Sequence, residues 1–165
     1  MNGGEIMLKH WTPYKPELAK IYEEKGYWQK DMFCQVFDRQ AERFWDREAL
    51  VGGEQRFTYG DLKLGSDRLA LHFLKLGLKH SDRIIVQLPN IPEFVFIWLA
   101  LQKIGVIPVM CLGQHRYSEI SQIAARAEAV GYIIAGFANK FNYVDLVEQV
   151  AADLPDMKYK MIAGI

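Results

Sequence analysis

The chain lacks the charge excess, the cysteine pattern and the uninterrupted apolar run that would place it in several common classes. Lysine plus arginine number 20 and aspartate plus glutamate 20, so no basic surplus points to nucleic acid. The two cysteines, Cys34 and Cys111, lie far apart, with no CxxC and no nearby histidine pair. That argues against a zinc site and a disulfide framework, and fits reduced thiols in a cytoplasmic protein. Residues 1–10 contain no apolar h-region, so no signal peptide is expected. The most membrane-like stretch, Phe94 to Leu112, is broken by Gln102, Lys103, Gly105 and Pro108. A spanning helix would bury Lys103 in hydrocarbon at a cost of roughly 2.5 kcal/mol or more, so a buried helix, a turn and a buried strand are expected, and no membrane partner.

Motifs with a direct chemical reading are also missing. Nothing matches GxGxxG or GxxxxGK[ST], so the glycine-rich backbone cradle for phosphate is not there. There is no GxSxG and no HExxH, and His10, His72, His80 and His115 are scattered. No catalytic, cofactor-binding or metal-ligating residue is assigned.

What is present is a cored α/β pattern. Half of the 165 residues are hydrophobic, enough for one domain. Lys15 to Trp28 reads as a short polar helix ending near Gly26. Asp31 to Trp45 reads as a second, with Asp31 as N-cap and Phe33, Phe37, Ala41 and Phe44 as a core-facing stripe. Leu50–Val51 and Arg56–Phe57 flank Gly52–Gly53 as a tight hairpin. Thr58 opens a helix with Asp61 at N3 as a capping box. Its buried stripe is Leu62, Leu69, Phe73 and Leu76, and Gly77 ends it in the left-handed conformation.

From Asp82 onward strands and helices alternate. Arg83 to Leu88 is a strand, and Asn90 caps a helix carrying Phe94, Ile97, Leu101 and Ile104. Val106 to Met110 is a strand, and a helix runs from Tyr117 or Ser118 to Ala129. Gly131 to Ala135 is a strand, Val144 to Ala152 a helix and Lys158 to Ala163 a strand. The fold class is therefore α/β: N-terminal helices (1–48) and a small hairpin, followed within 49–165 by a βαβ array with a mainly parallel sheet. Ending on a strand leaves an edge to cover, so the chain is expected to be one N-terminal subdomain of a larger protein, against the alternative of a small complete α/β domain. Its apolar strands predict a weakly stable or self-associating chain, with a homodimer as one way to cover that surface.

Three phrases, in order, resemble the adenylate-forming superfamily of acyl-CoA synthetases, luciferases and peptide-synthetase adenylation domains. They are Phe57-Thr58-Tyr59-Gly60-Asp61-Leu62, Val86-Gln87-Leu88-Pro89-Asn90 with Glu93-Phe94, and Leu101 to Val109. Tyr22 to Trp28, Gln87 to Ile91, and His115-Arg116 with Ser118-Glu119-Ile120 ahead of Ala127 to Val130 resemble the aryl-acid branch, the 2,3-dihydroxybenzoate–AMP ligases of siderophore synthesis. Where that branch has Pro-Ala before His-Arg, Gly113-Gln114 stands here.

The resemblance implies a two-step reaction. A carboxylate attacks the α-phosphate of ATP, giving an acyl-adenylate and pyrophosphate; a thiol then takes the acyl group. It implies ATP and Mg²⁺ as cofactors of the full-length protein, with none bound by this segment. It implies an aryl carboxylic acid and an aryl carrier protein as partners. It also implies that the phosphate loop and the catalytic lysine lie downstream. An aryl- or acyl-CoA ligase is the nearest alternative, and a non-catalytic α/β interaction domain the next.

Ligands in open α/β sheets bind beyond the carboxyl ends of the strands. That selects the loops Pro89–Pro92 and Cys111–Tyr117, and within them Asn90, His115 and Arg116. Asn90 either faces a ligand or caps its helix, and the cap is favoured. His115 orients a substrate or lines a thiol channel, or is a plain loop histidine. Arg116 holds an anion or pairs with Glu119 or Glu128, and pairing is favoured. Tyr59, Phe96 and Trp98 read as structural.

Overall fold

A computed structural model describes residues 12–163. Compact units divide between Met32 and Phe33. In the first, α1 (Pro16–Glu24) starts with proline at its first turn, where no N–H partner is needed, and stops before Gly26, whose φ is +70°. Trp28 folds back to meet Tyr14 edge-on at 4.8 Å and Tyr22 at 5.3 Å.

In the second unit α2 (Phe33–Arg43) buries Ala41, the small residue that allows close approach to its neighbours. Of the expected core-facing stripe Ala41 is fully buried, Phe37 and Phe44 are half-buried, and Phe33 is 54% exposed in a T-shaped contact with Trp98 at 4.7 Å; Phe44 lies past the helix end. Strands β1 (Glu48–Gly52) and β2 (Gln55–Thr58) form the expected hairpin, turning at Gly53 with φ +59°. A β-carbon on Gly52 would lie 2.4 Å from Pro92, so the hairpin rests directly on a later helix start.

Helix α3 (Tyr59–Leu76) carries the expected capping box: Thr58 Oγ1 accepts from the Asp61 N–H, and the Asp61 carboxylate accepts from the Thr58 N–H. The bonds donated by the Thr58 N–H and then by its hydroxyl hold the Asp61 carboxyl below its usual range. Gly77 ends the helix at φ +99°, and the Leu78 N–H reaches the Phe73 carbonyl. The buried stripe is Leu62, Ser66, Ala70 and Phe73. Leu76, expected in that stripe, is 45% exposed.

The sheet is parallel, in the order β4 (Ile107–Met110), β3 (Arg83–Gln87), β5 (Gly131–Ile134), β8 (Tyr159–Ile162). Pro108 is tolerated because, among the described residues, β4 pairs with β3 alone and needs no second row of donors. Helices α3 and α4 (Pro92–Lys103) cover one face over Ile84, Val86 and Ile133. Helices α5 (Tyr117–Ala127) and α6 (Tyr143–Asp153) cover the other over Ile85, Tyr132 and Ile134. Residues 136–143, left unassigned by periodicity, hold a miniature hairpin of β6 (Phe137–Ala138) and β7 (Phe141–Asn142). It turns through Asn139 and Lys140, both at positive φ. No helix among the described residues is long and apolar enough to cross a membrane.

Candidate functional site

The connection from β3 runs to β4 on one side, while β5 lies on the other. In such sheets the carboxyl ends around that divergence are where ligands sit. Two crevices occur there and share Pro89. One, of about 510 Å³, is walled by Gln87–Asn90, Met110–Gln114, Arg116, Asn139 and Tyr143. The other, of about 670 Å³, lies beyond β5 and includes Gln55, Glu93 and Phe137.

The first crevice gathers two of the three sequence candidates. Asn90 is on its rim and exposed. It is not the helix cap: Ile91 occupies that position without a side-chain bond, and Pro92 follows at N1. The reason is local. Proline supplies a preset helical φ and has no N–H to satisfy, so the helix starts one residue later than the Asn-Glu pattern predicts.

Arg116 is in the wall, but it does not pair with either predicted carboxylate. Its guanidinium donates to the Gly113 and His115 carbonyls at 2.8 Å each and stacks 3.8 Å over the Phe141 ring. Glu119 instead accepts from the Arg116 backbone N–H at 3.0 Å, which holds its carboxyl below the usual range. Glu128 is held by Arg83 at 2.8 Å. His115 contributes its carbonyl to the loop, while its ring Nδ1 is buried with no hydrogen-bond partner.

Sequence reasoning missed the residues that shape this wall. Gln87 is 1% exposed at the end of β3. Its Nε2 donates to the Leu112 and His115 carbonyls at 2.7 and 3.0 Å, and its Oε1 accepts from the Tyr132 hydroxyl. Tyr132 is fully buried, and burial pushes its phenol pKa up. Tyr143 donates to the Gly113 carbonyl at 2.7 Å. The one available signal was a polar residue inside the apolar run Arg83 to Leu88. Cys111 is buried at the crevice base, and desolvation raises its thiol to about 11, so it stays protonated at neutral pH and is no nucleophile.

The wall is thus uncharged apart from one committed arginine, with exposed carboxamides at Asn90, Gln114 and Asn139 above an apolar base. Gly113 is not demanded by its backbone. Its φ is not positive, and a β-carbon there would lie at an ordinary 3.5 Å from the Tyr143 hydroxyl.

Residues 37–163 match the AMP-binding enzyme family. The chain belongs to that family. It is 40% identical over 158 residues to a 2,3-dihydroxybenzoate-AMP ligase of Bacillus subtilis, covering 96% of this chain and 29% of the relative. It is 32% identical to a salicyl-AMP ligase / salicyl-S-ArCP synthetase of Mycobacterium tuberculosis, over 95% of this chain and 29% of the relative. Among solved structures, apo MbtA of Mycobacterium smegmatis superposes with a TM-score of 0.86 at 32% identity, over 94% of this chain and 28% of that one. The chain therefore spans under a third of the length of these relatives.

Among the described residues no three His, Cys, Asp or Glu side chains converge to hold a metal ion.

Proposed function

We propose that the full-length protein containing this chain is an ATP-dependent aryl-acid AMP ligase of the 2,3-dihydroxybenzoate type, which passes its acyl group to the phosphopantetheine thiol of a carrier protein. The observation that carries this reading is the 40% identity, over nearly the whole chain, to the Bacillus subtilis ligase. The crevice chemistry agrees with it. A wall of uncharged carboxamides and apolar groups suits an arm bearing amides, and it offers no free cation for a triphosphate.

The residues of this chain build and orient that wall. The resemblance assigns ATP handling and its Mg²⁺ to other parts of the full-length protein; this sequence carries no Ser/Thr/Gly-rich phosphate loop. A coenzyme A acceptor is the second reading. It is favoured by the 35% identity to a Streptomyces salicylyl-CoA synthase / salicylate adenylyltransferase.

The test is acid-dependent ATP–pyrophosphate exchange by the full-length protein with a panel of acids. Hydroxybenzoates should give the highest kcat/KM, and the isolated 165-residue chain should give no exchange. A preference for acetate or a long-chain fatty acid would remove the aryl reading. Carrier protein and coenzyme A offered side by side separate the two acceptors.

A further inference from the structure

Among the described residues, Ser66 and Gln87 are the polar side chains that join the buried set. Ser66 is accounted for within its own helix, where its hydroxyl donates to the Lys63 carbonyl. Gln87 is not explained by its strand. It sits on the β3 face that also carries Ile85, where an aliphatic side chain would pack without the cost of desolvating an amide.

That cost is offset because each polar atom of the amide is used. The two Nε2 hydrogens serve the Leu112 and His115 carbonyls, and Oε1 takes the Tyr132 hydroxyl. The arrangement also has a fixed sense. The loop carbonyls can only accept, so the NH₂ end must face the loop, and the Tyr132 hydroxyl then has to donate to Oε1. The two anchored carbonyls bracket Gly113 and Gln114, which form the middle of the crevice wall.

We propose that Gln87 is a positioning residue. Through its two donors, oriented by Tyr132, it sets the conformation of the Leu112–Arg116 segment and thereby the affinity of the crevice for the thiol-bearing acceptor. The loop clamp stands on the geometry alone; the acceptor role rests on the function proposed above. Gln87→Met keeps the volume and removes both donors. Gln87→Glu keeps an acceptor for Tyr132 but sets a second acceptor against two carbonyls. Tyr132→Phe leaves both donors and removes only their orientation, so it serves where the Gln87 variants fold poorly.

Two measurements test this. In amide hydrogen exchange of the chain, the His115 N–H, which bonds the Leu112 carbonyl, should exchange about ten-fold faster in Gln87→Met than the global stability change accounts for, with a smaller excess in Tyr132→Phe. Exchange that speeds up equally in α4 and in the loop would overturn the clamp. In the full-length protein, Gln87→Met should raise the acceptor KM about ten-fold with kcat held within about two-fold. An unchanged acceptor KM, or an equal loss in the acid-dependent half-reaction, overturns the acceptor role. A wild-type full-length protein without pyrophosphate exchange removes the adenylation reading and the acceptor role with it, while the hydrogen-exchange result still decides the clamp.

Discussion

Lys103 Nζ lies 2.6 Å from the Asp38 carboxylate and so ties α4 to α2 across 65 residues of sequence. Asp67 of α3 is 2.7 Å from the same ammonium, and Lys63 closes the group at 3.1 Å from Asp67 and 3.6 Å from Asp38. The side chain of Lys103 is only 9% exposed, and its charge also sits 5.6 Å over the Phe37 ring. Three helices that otherwise meet through apolar contacts are thus joined by one alternating charge cluster. Burial works to raise the Asp67 pKa, but the hydrogen bonds from Lys103 and Lys63 outweigh it and leave it below the usual range. The hydrogen bond to Asp67 is the main cause that raises Lys63.

Lys103→Met should therefore destabilise the chain by about 1–3 kcal/mol. That is less than a fully buried pair because both aspartates stay partly exposed and keep Lys63. The pH dependence has a definite sign. The lowered Asp67 pKa stabilises fully above the unfolded value of about 3.9, and that share is lost as pH falls through the folded pKa. The raised Lys63 pKa stabilises fully below about 10.4, and that share is lost as pH rises through its folded value. Urea melts of both proteins should differ by a constant amount between about pH 5 and 9, and the gap should shrink below about pH 4. A gap that persists at pH 3 would falsify the ion-pair account.

Two alanine substitutions separate a real helix cap from an apparent one. Thr58→Ala removes the acceptor for the Asp61 N–H and should cost about 1 kcal/mol. Asn90→Ala removes a side chain that caps nothing and should stay within about 0.5 kcal/mol. Thermal melts of the pair check both. An equal loss in the two variants would mean that Asn90 supports the α4 start in solution.

How much of this was legible in the sequence depends on the range of the interaction. The Thr58–Asp61 box, the Gly53 turn, the Gly77 stop and the alternation after Asp82 are local, and each is set within a few residues. The family phrases are local as well, and the family match follows them. What periodicity could not supply is long-range. Gln87 and Tyr132 are 45 residues apart, and Gln87 and His115 are 28 apart. Arg116 had two carboxylates at plausible spacing, yet three carbonyl- and ring-directed contacts hold it instead. The phenylalanines of α2 have helical spacing, but spacing says which residues share a face and not how deep that face is buried.

Cys111 should be inert in the folded chain. It is buried, and its thiol is raised to about 11, so at pH 8 only a very small fraction is thiolate. With an aromatic disulfide reagent at pH 8, Cys34, which is partly exposed, should react first, and Cys111 should react only when the chain is unfolded in denaturant. Rapid modification of both thiols in the native protein would show that the crevice base opens.

Glu128, which spacing offered to Arg116, belongs to Arg83 from 45 residues away: Arg83 takes the carboxylate at 2.8 Å, and Arg116 turns to the loop carbonyls and the Phe141 ring. A double-mutant cycle between Arg83→Met and Glu128→Gln should give a coupling of about 0.2–1 kcal/mol, the range of a partly exposed ion pair. The cycle between Arg116→Met and Glu128→Gln should give none beyond about 0.3 kcal/mol. A third cycle, Arg116→Met with Phe141→Leu, should couple by about 0.5–1 kcal/mol, because the guanidinium stacks on that ring beside the crevice. Salt sharpens the distinction: raising ionic strength should shrink the exposed Arg83–Glu128 coupling and leave the Arg116–Phe141 coupling nearly intact. Coupling between Arg116 and Glu128 that disappears in high salt would mean that Arg116 reaches the carboxylate after all, and the loop wall would then be held by Gln87 and Tyr143 alone.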